Sequence, residues 1–223
     1  MVNISDLIKR LRDSGVKVPL KVEHAMMKVD IEDFTEFETE GFYKDRPVVF
    51  LEIPNGGVKT ISAPHMIATL LHNLELDEGQ EIVIYGAKGG YLCALVAHIV
   101  GESGHVTVLD PSHEVIAHLS DNLRGYPTIE CHTITDTSKI TLPPVNRALV
   151  TGQIEELPEW LIQVMVTGGF SIAPIGNRES QRLLKIEKQD DELFETDLGS
   201  VIFGPVDIQD SVVEIPSPEE MAE

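Results

Sequence analysis

A glycine-bearing turn, Gly86-Ala87-Lys88-Gly89-Gly90, follows the apolar run 82–85, and an acid, Asp110, ends the next apolar run, 106–109. Glycines let a backbone pass close to a ligand, and a helix N-terminus behind them adds N–H donors. A carboxylate at the second strand's end can accept both hydroxyls of a ribose. Asp110 stands 24 positions beyond Gly86, near the ~20 expected of a ribose-binding acid. Lys88 occupies the place of the middle glycine in a regular G-x-G-x-G pattern, so these residues alone leave two readings open: a nucleotide site, or a structural β-α-β unit. A second candidate is Ser62, within Lys59-Thr60-Ile61-Ser62-Ala63-Pro64-His65-Met66. Its hydroxyl is placed to cap the helix that Pro64 opens, and capping alone would explain it.

The elements that must position these residues alternate. A helix capped at Ser5-Asp6 and stopped by Gly15, a second over 20–28 and a helical turn at 31–34 form a preface without strand pattern. A strand over 48–53 ends in the turn 55–57. The helix after Pro64 runs through Ile67, Leu70, Leu71 and Leu74, and Ser112 caps another with Val115, Ile116 and Leu119 inward. Strands follow at 128–134, 148–151 and 170–173, with a helix over 158–166 and a turn at Gly168-Gly169. Residues 182–188 and 201–203 close the sheet. Such alternation predicts an α/β fold with a doubly wound, mostly parallel sheet. The expected layout is a helical preface over 1–46, the α/β domain over 47–213 and a loose acidic tail over 214–223. Residues 86–90, Asp110 and Asp136 would share one rim at the carboxyl ends of three strands, where ligands bind in such sheets.

Thirty-seven acids against seventeen bases give a net charge of −20. Such a field repels phosphate backbones and argues against nucleic-acid partners. It also keeps a surface hydrated, which needs no ligand. No apolar run nears the length of a membrane span, and the first residues are charged throughout, so a soluble cytoplasmic protein is expected. Cys93 and Cys131 show neither metal nor redox spacing and read as reduced thiols. His72, His98, His113 and His118 lack ligand spacing, so no metal is assigned. His65 reads as a surface histidine, and Trp160 as packing. The oligomeric state is not fixed by the sequence.

The chain resembles the protein-L-isoaspartate O-methyltransferase family, enzymes that use S-adenosylmethionine to methylate damaged aspartyl residues. The resemblance starts at His24-Ala25-Met26-Met27-Lys28-Val29 with Asp33-Phe34, and continues through Tyr43, Asp45, Arg46 and Pro47. Thr60-Ile61-Ser62-Ala63-Pro64-His65-Met66, the family's most distinctive string, stands intact. Residues 164–174 and 201–206 resemble two later strands. The resemblance implies a Rossmann-like methyltransferase fold, S-adenosylmethionine as cofactor, and damaged proteins or peptides containing isoaspartate as partners. It implies Ser62 as the active-site serine and Lys59, Thr60 and Ile61 as the segment covering the cofactor. Gly86, Ala87, Lys88 and Gly90 would surround its methionine part, Asp110 and Pro111 its ribose, and Asp136 and Thr137 its adenine. The sequence departs from the family at Ile84, Lys88, Thr137 and Arg147, where family members usually carry an acid, a glycine, a glycine and an acid, and at Lys59, commonly glutamine.

In the reaction so implied, an isoaspartyl α-carboxylate attacks the sulfonium methyl. It is ionised near neutral pH and needs no strong base, so Ser62 would orient it by a hydrogen bond. Lys88 would pair with a carboxylate, point to solvent or fill cofactor space. The alternative is a family member without catalysis that serves as a binding or assembly module. A methyltransferase for another substrate, RNA included, is disfavoured by charge.

Overall fold

Strands β3 (Glu81–Tyr85) and β4 (His105–Asp110) are apolar on both faces and buried along nearly their whole length, as a strand covered by helices on both sides requires. They pair in parallel, β4 with β5 (Ile129–Thr133), β3 with β6 (Val145–Val150), and β6 with β7 (Met165–Gly176) likewise. Strands β8 (Gln181–Gln189) and β9 (Glu192–Val201) extend the sheet antiparallel. The order is β5-β4-β3-β6-β7-β8-β9, so the chain leaves β3 in one direction and returns to its other side at β6. That reversal is the switch point at which open α/β sheets bind ligands. The computed structural model describes residues 3–53, 57–134, 136 and 141–206.

One sheet face, with Ile82, Ile84, Val106 and Val108, packs on α4 (Pro64–Leu74), α5 (Tyr91–Val100) and α6 (His113–Asn122). The same core includes Leu7, Ile8 and Leu11 of α1 (Ile4–Asp13) and Val22, Ala25 and Met26 of α2 (Leu20–Lys28). The other face, with Val83, Tyr85 and Leu109, packs on Leu161 of α7 (Glu159–Val164). The doubly wound, mostly parallel sheet expected from the sequence is therefore present.

Several expectations are corrected. Asn3, not Ser5, caps α1, accepting from the Asp6 N–H at 2.9 Å. A short helix, α3 (Glu40–Tyr43), precedes the first strand. β1 (Val48–Glu52) stands outside the main sheet, paired antiparallel with β2 (Val58–Ile61). Gly168-Gly169 is no turn between elements: β7 runs through it, with a register shift against β6. Of the expected 201–203 strand only Val201 pairs, as the last residue of β9, whose polar and mostly exposed residues gave no alternation to read. The tail 214–223 and turn residues Asn55 and Gly56 lie outside the described residues.

Candidate functional site

The turn after β3 is built for residues without a Cβ. Gly86, Gly89 and Gly90 have φ of +93°, +78° and +90°, the left-handed region that glycine adopts freely. Each is also crowded. A Cβ on Gly86 would lie 2.6 Å from Thr151 Oγ1, one on Gly89 2.8 Å from both Ile61 and Phe50, and one on Gly90 2.9 Å from Leu119. The Thr151 hydroxyl donates to the Gly86 carbonyl, fixing the tip of β3 to the tip of β6. Lys88, in the middle of the turn, has φ +44°, a conformation that a side chain with a Cβ adopts at some cost.

Asp110, 2% exposed, accepts from the Ala87 N–H at Oδ2 and from the Ser112 N–H at Oδ1, both at 2.9 Å. One carboxylate thus ties the glycine turn to the start of α6, and each oxygen keeps a further lone pair for a ligand hydroxyl.

Between the turn, the β1–β2 hairpin and the rim of β6 lies a hollow of about 230 Å³. Lys59, Thr60, Gly86, Ala87, Lys88 and Asp110 line it, six of the residues the sequence pointed to. Phe50 and Val58 of the hairpin, Val115 of α6, Thr151-Gly152 after β6 and residues 204–206 line it too, although the sequence points to no place for them in the site. Thr151-Gly152 was legible as a further carboxyl end on the same rim. The segment 204–206 arrives from beyond β9, packing so closely that a Cβ on Gly152 would meet Val206 at 2.6 Å.

Two ammonium groups enter this hollow. The Lys59 nitrogen is buried without a hydrogen-bond partner, and burial holds its pKa below the usual lysine value, against a smaller upward pull from Asp110 and Glu114. Burial also lowers Lys88, the neighbouring Lys59 charge lowers it further, and Asp110 opposes both. The Lys88 nitrogen stands 5.6 Å from the centre of the Phe203 ring, within cation–π range.

Other expected site residues lie elsewhere. Ser62 is half-buried beside the hollow but not in its lining. It does not cap α4: Ala63 does, its carbonyl accepting from the Met66 and Ile67 N–H groups at 3.0 and 3.1 Å. The physical reason is Pro64, which takes the first helical position and leaves the cap to the residue before it. Among the described residues the Ser62 hydroxyl has no hydrogen-bond partner. Asp45, unassigned in the sequence reading, anchors this segment: its Oδ1 accepts the His65 N–H at 2.8 Å and lies 3.0 Å from His65 Nδ1. Ile61 is buried against Gly89, Gly90 caps α5, and Pro111 is half-buried; none lines the hollow.

Asp136 departs furthest from expectation. It lines a different hollow of about 480 Å³, with Leu109, Glu130, His132 and Ile134, not the one beneath the glycine turn. Side chains alternate along β4 and β5, and those residues belong to the opposite face of the sheet from Asp110. Thr137 lies outside the described residues. A third hollow of about 570 Å³ is lined by Glu32, Asp33, Glu36, Glu52 and Asp121, and Phe50 lines both it and the lysine-bearing hollow. Among the described residues no three metal-ligand side chains are grouped to hold an ion, and no helix is long and apolar enough to cross a membrane.

A sequence model of the family described as protein-L-isoaspartate(D-aspartate) O-methyltransferase (PCMT) matches residues 2–211. The protein-L-isoaspartate O-methyltransferase of Methanosarcina mazei is 32% identical over 199 residues, covering 86% of this chain and 79% of that one. Its counterpart in Fervidobacterium nodosum is 33% identical over 206 residues, covering 90% and 99%. Among solved structures, a protein-L-isoaspartate O-methyltransferase is similar with a TM-score of 0.82 at 21% identity, over 91% of this chain and 65% of that one. A Plasmodium falciparum protein assigned the same activity, in complex with S-adenosyl-L-homocysteine, gives a TM-score of 0.78 at 23% identity, over 92% and 98%. These two structural likenesses concern the fold.

Proposed function

The chain belongs to the protein-L-isoaspartate O-methyltransferase family, and on that premise we propose that it is an enzyme of protein repair, methylating the α-carboxylate of isoaspartyl residues with S-adenosylmethionine. The observation that carries this reading is the hollow at the switch point, where a glycine turn and the buried Asp110 meet. At about 230 Å³ it is tighter than the ~300–1,000 Å³ usual for ligand pockets, and Lys88 lines it where a glycine would leave room. It nevertheless stays open, and the donor set fits the cofactor: acceptor capacity at Asp110 for ribose hydroxyls, and ammonium groups for a carboxylate.

When bound, the cofactor supplies an electrophilic methyl group on a sulfonium. The remaining work falls to the chain. Asp110 holds the nucleoside end while its bonds to Ala87 and Ser112 keep the turn in shape. Ser62, with its hydroxyl uncommitted, donates to the substrate carboxylate and orients it, and His65, held by Asp45, fixes the segment that carries the serine. Phe50 and Val58 of the hairpin cover the hollow and exclude water. Positioning of this kind contributes several kcal/mol to a displacement that needs no proton transfer. Damaged proteins and peptides are the partners, with nucleic acid disfavoured by the net charge of −20. Unpaired Cys93 and Cys131 suit a reducing cytoplasm.

One observation favours a second reading, a member that binds without catalysing: two unpaired ammonium groups share the hollow meant for a cationic sulfonium. Calorimetry with S-adenosylhomocysteine, followed by methanol release from a methylated isoaspartyl peptide, decides between them. Micromolar binding with methanol release is expected. Absence of binding at millimolar ligand would remove the enzyme reading.

A further inference from the structure

Acids outnumber bases by 37 to 17 in this chain, so a lysine can readily be given a carboxylate. Among the described residues Lys59 and Lys88 have none, although they line a hollow rather than the outer surface. They enter one hollow from different elements, β2 and the glycine turn, and among the described residues neither makes an ion pair or hydrogen bond. Asp110, the acid beside them in the hollow, already accepts two backbone N–H groups. Glu114 is exposed and accepts from the Ser112 hydroxyl at 2.9 Å. Buried charge without a partner is costly, and a cluster of like charges is more so. The arrangement is stable once an anion enters, because a desolvated ammonium–carboxylate contact is stronger than one in water.

We propose that Lys59 and Lys88 form a two-ammonium receptor for the carboxylate of the ligand's amino-acid tail, so that the site selects its ligand by that charge as well as by its nucleoside. The inference rests on the proposed function for the identity of the ligand. It assigns Lys59 and Lys88 to specificity, and it gives a use to the lysine that stands at φ +44° in a turn whose other left-handed positions are glycine.

The test is calorimetric titration of two nucleosides into the wild-type chain, Lys59→Gln and Lys88→Gly. One is S-adenosylhomocysteine. The other is S-adenosyl-3-thiopropylamine, the same thioether lacking only the carboxylate. The wild-type chain is expected to prefer the first by about tenfold or more, as a charge-assisted contact provides. Each substitution should lower its affinity about tenfold while leaving the second ligand within about twofold. Equal wild-type affinities for the two ligands would overturn the receptor without any variant. So would a gain in S-adenosylhomocysteine affinity on removing either lysine, which marks them as obstructions. If neither nucleoside binds, the functional reading fails by itself, and malonate titrated into wild type and Lys59→Gln still decides the receptor. Millimolar binding lost in the variant supports it; equally weak binding in both overturns it.

Discussion

Two connections from strand to helix, one from the hairpin and one from the main sheet, each carry a serine, and they use it in opposite ways. Between β4 and α6 the serine is fully committed: Ser112 Oγ accepts from the Val115 N–H at 3.3 Å and donates to Glu114, and the Ser112 N–H donates to Asp110. Between β2 and α4 the helix start is handled by others, by the Ala63 carbonyl and by Asp45, which takes the His65 N–H. Ser62 is left with nothing local to do. A polar side chain relieved of its structural role is one that can be given to a ligand, and the difference between the two serines is one residue of offset from the helix.

The strongest way to break this comparison is at the support beneath Ser62. Gly89→Ala places a Cβ 2.8 Å from Ile61 and Phe50 at φ +78°, and the combined strain and clash should cost about 3 kcal/mol. Chemical denaturation would measure the loss, and activity should fall with it because Ile61 adjoins the serine. Ser62→Ala sharpens the contrast. We expect kcat/KM to fall by about 10- to 100-fold, the value of a hydrogen bond to a charged group, with the unfolding midpoint unchanged. Lys88→Gly should stabilise the unliganded protein by about 1–2 kcal/mol by relieving backbone strain. Removing the buried charge adds a second contribution, which depends on pH. Burial places the folded Lys88 pKa below its ordinary 10.5, so between the two values the unfolded chain binds more protons and wild-type stability rises with pH. The variant's advantage should therefore be full below the folded Lys88 pKa and shrink as pH rises from there to 10.5, read as melting curves of the two proteins over a pH series. Ser112→Ala, finally, should lose about 1 kcal/mol of stability, the value of an N-cap, with kcat/KM close to wild type. Equal kinetic losses at the two serines would remove the distinction.

Much of the fold was legible because its signals are strong and local. The helix over 20–28 matches α2 end to end, and the apolar stripe after Pro64 marked α4 because its buried positions repeat at helical spacing. Six lining residues of the hollow followed from the glycine turn, the acid ending β4 and the segment ahead of Ser62. What escaped depends on geometry that a local pattern does not carry. Asp136 was assigned to the rim by its place after a strand, but the alternation of side chains puts it on the other face. Residues 204–206 reach the hollow from far along the chain, through a β9 with no apolar rhythm. The Ser62 cap was misread although the signal was available, since a proline at the first helical position names its predecessor as the cap.

Phe50 stands between two chambers of opposite character, one holding a pair of ammonium groups, the other edged by five carboxylates. A single aromatic ring is thus their common wall, and because an apolar ring screens charge less than the water it displaces, the two chambers are electrostatic neighbours rather than separate compartments.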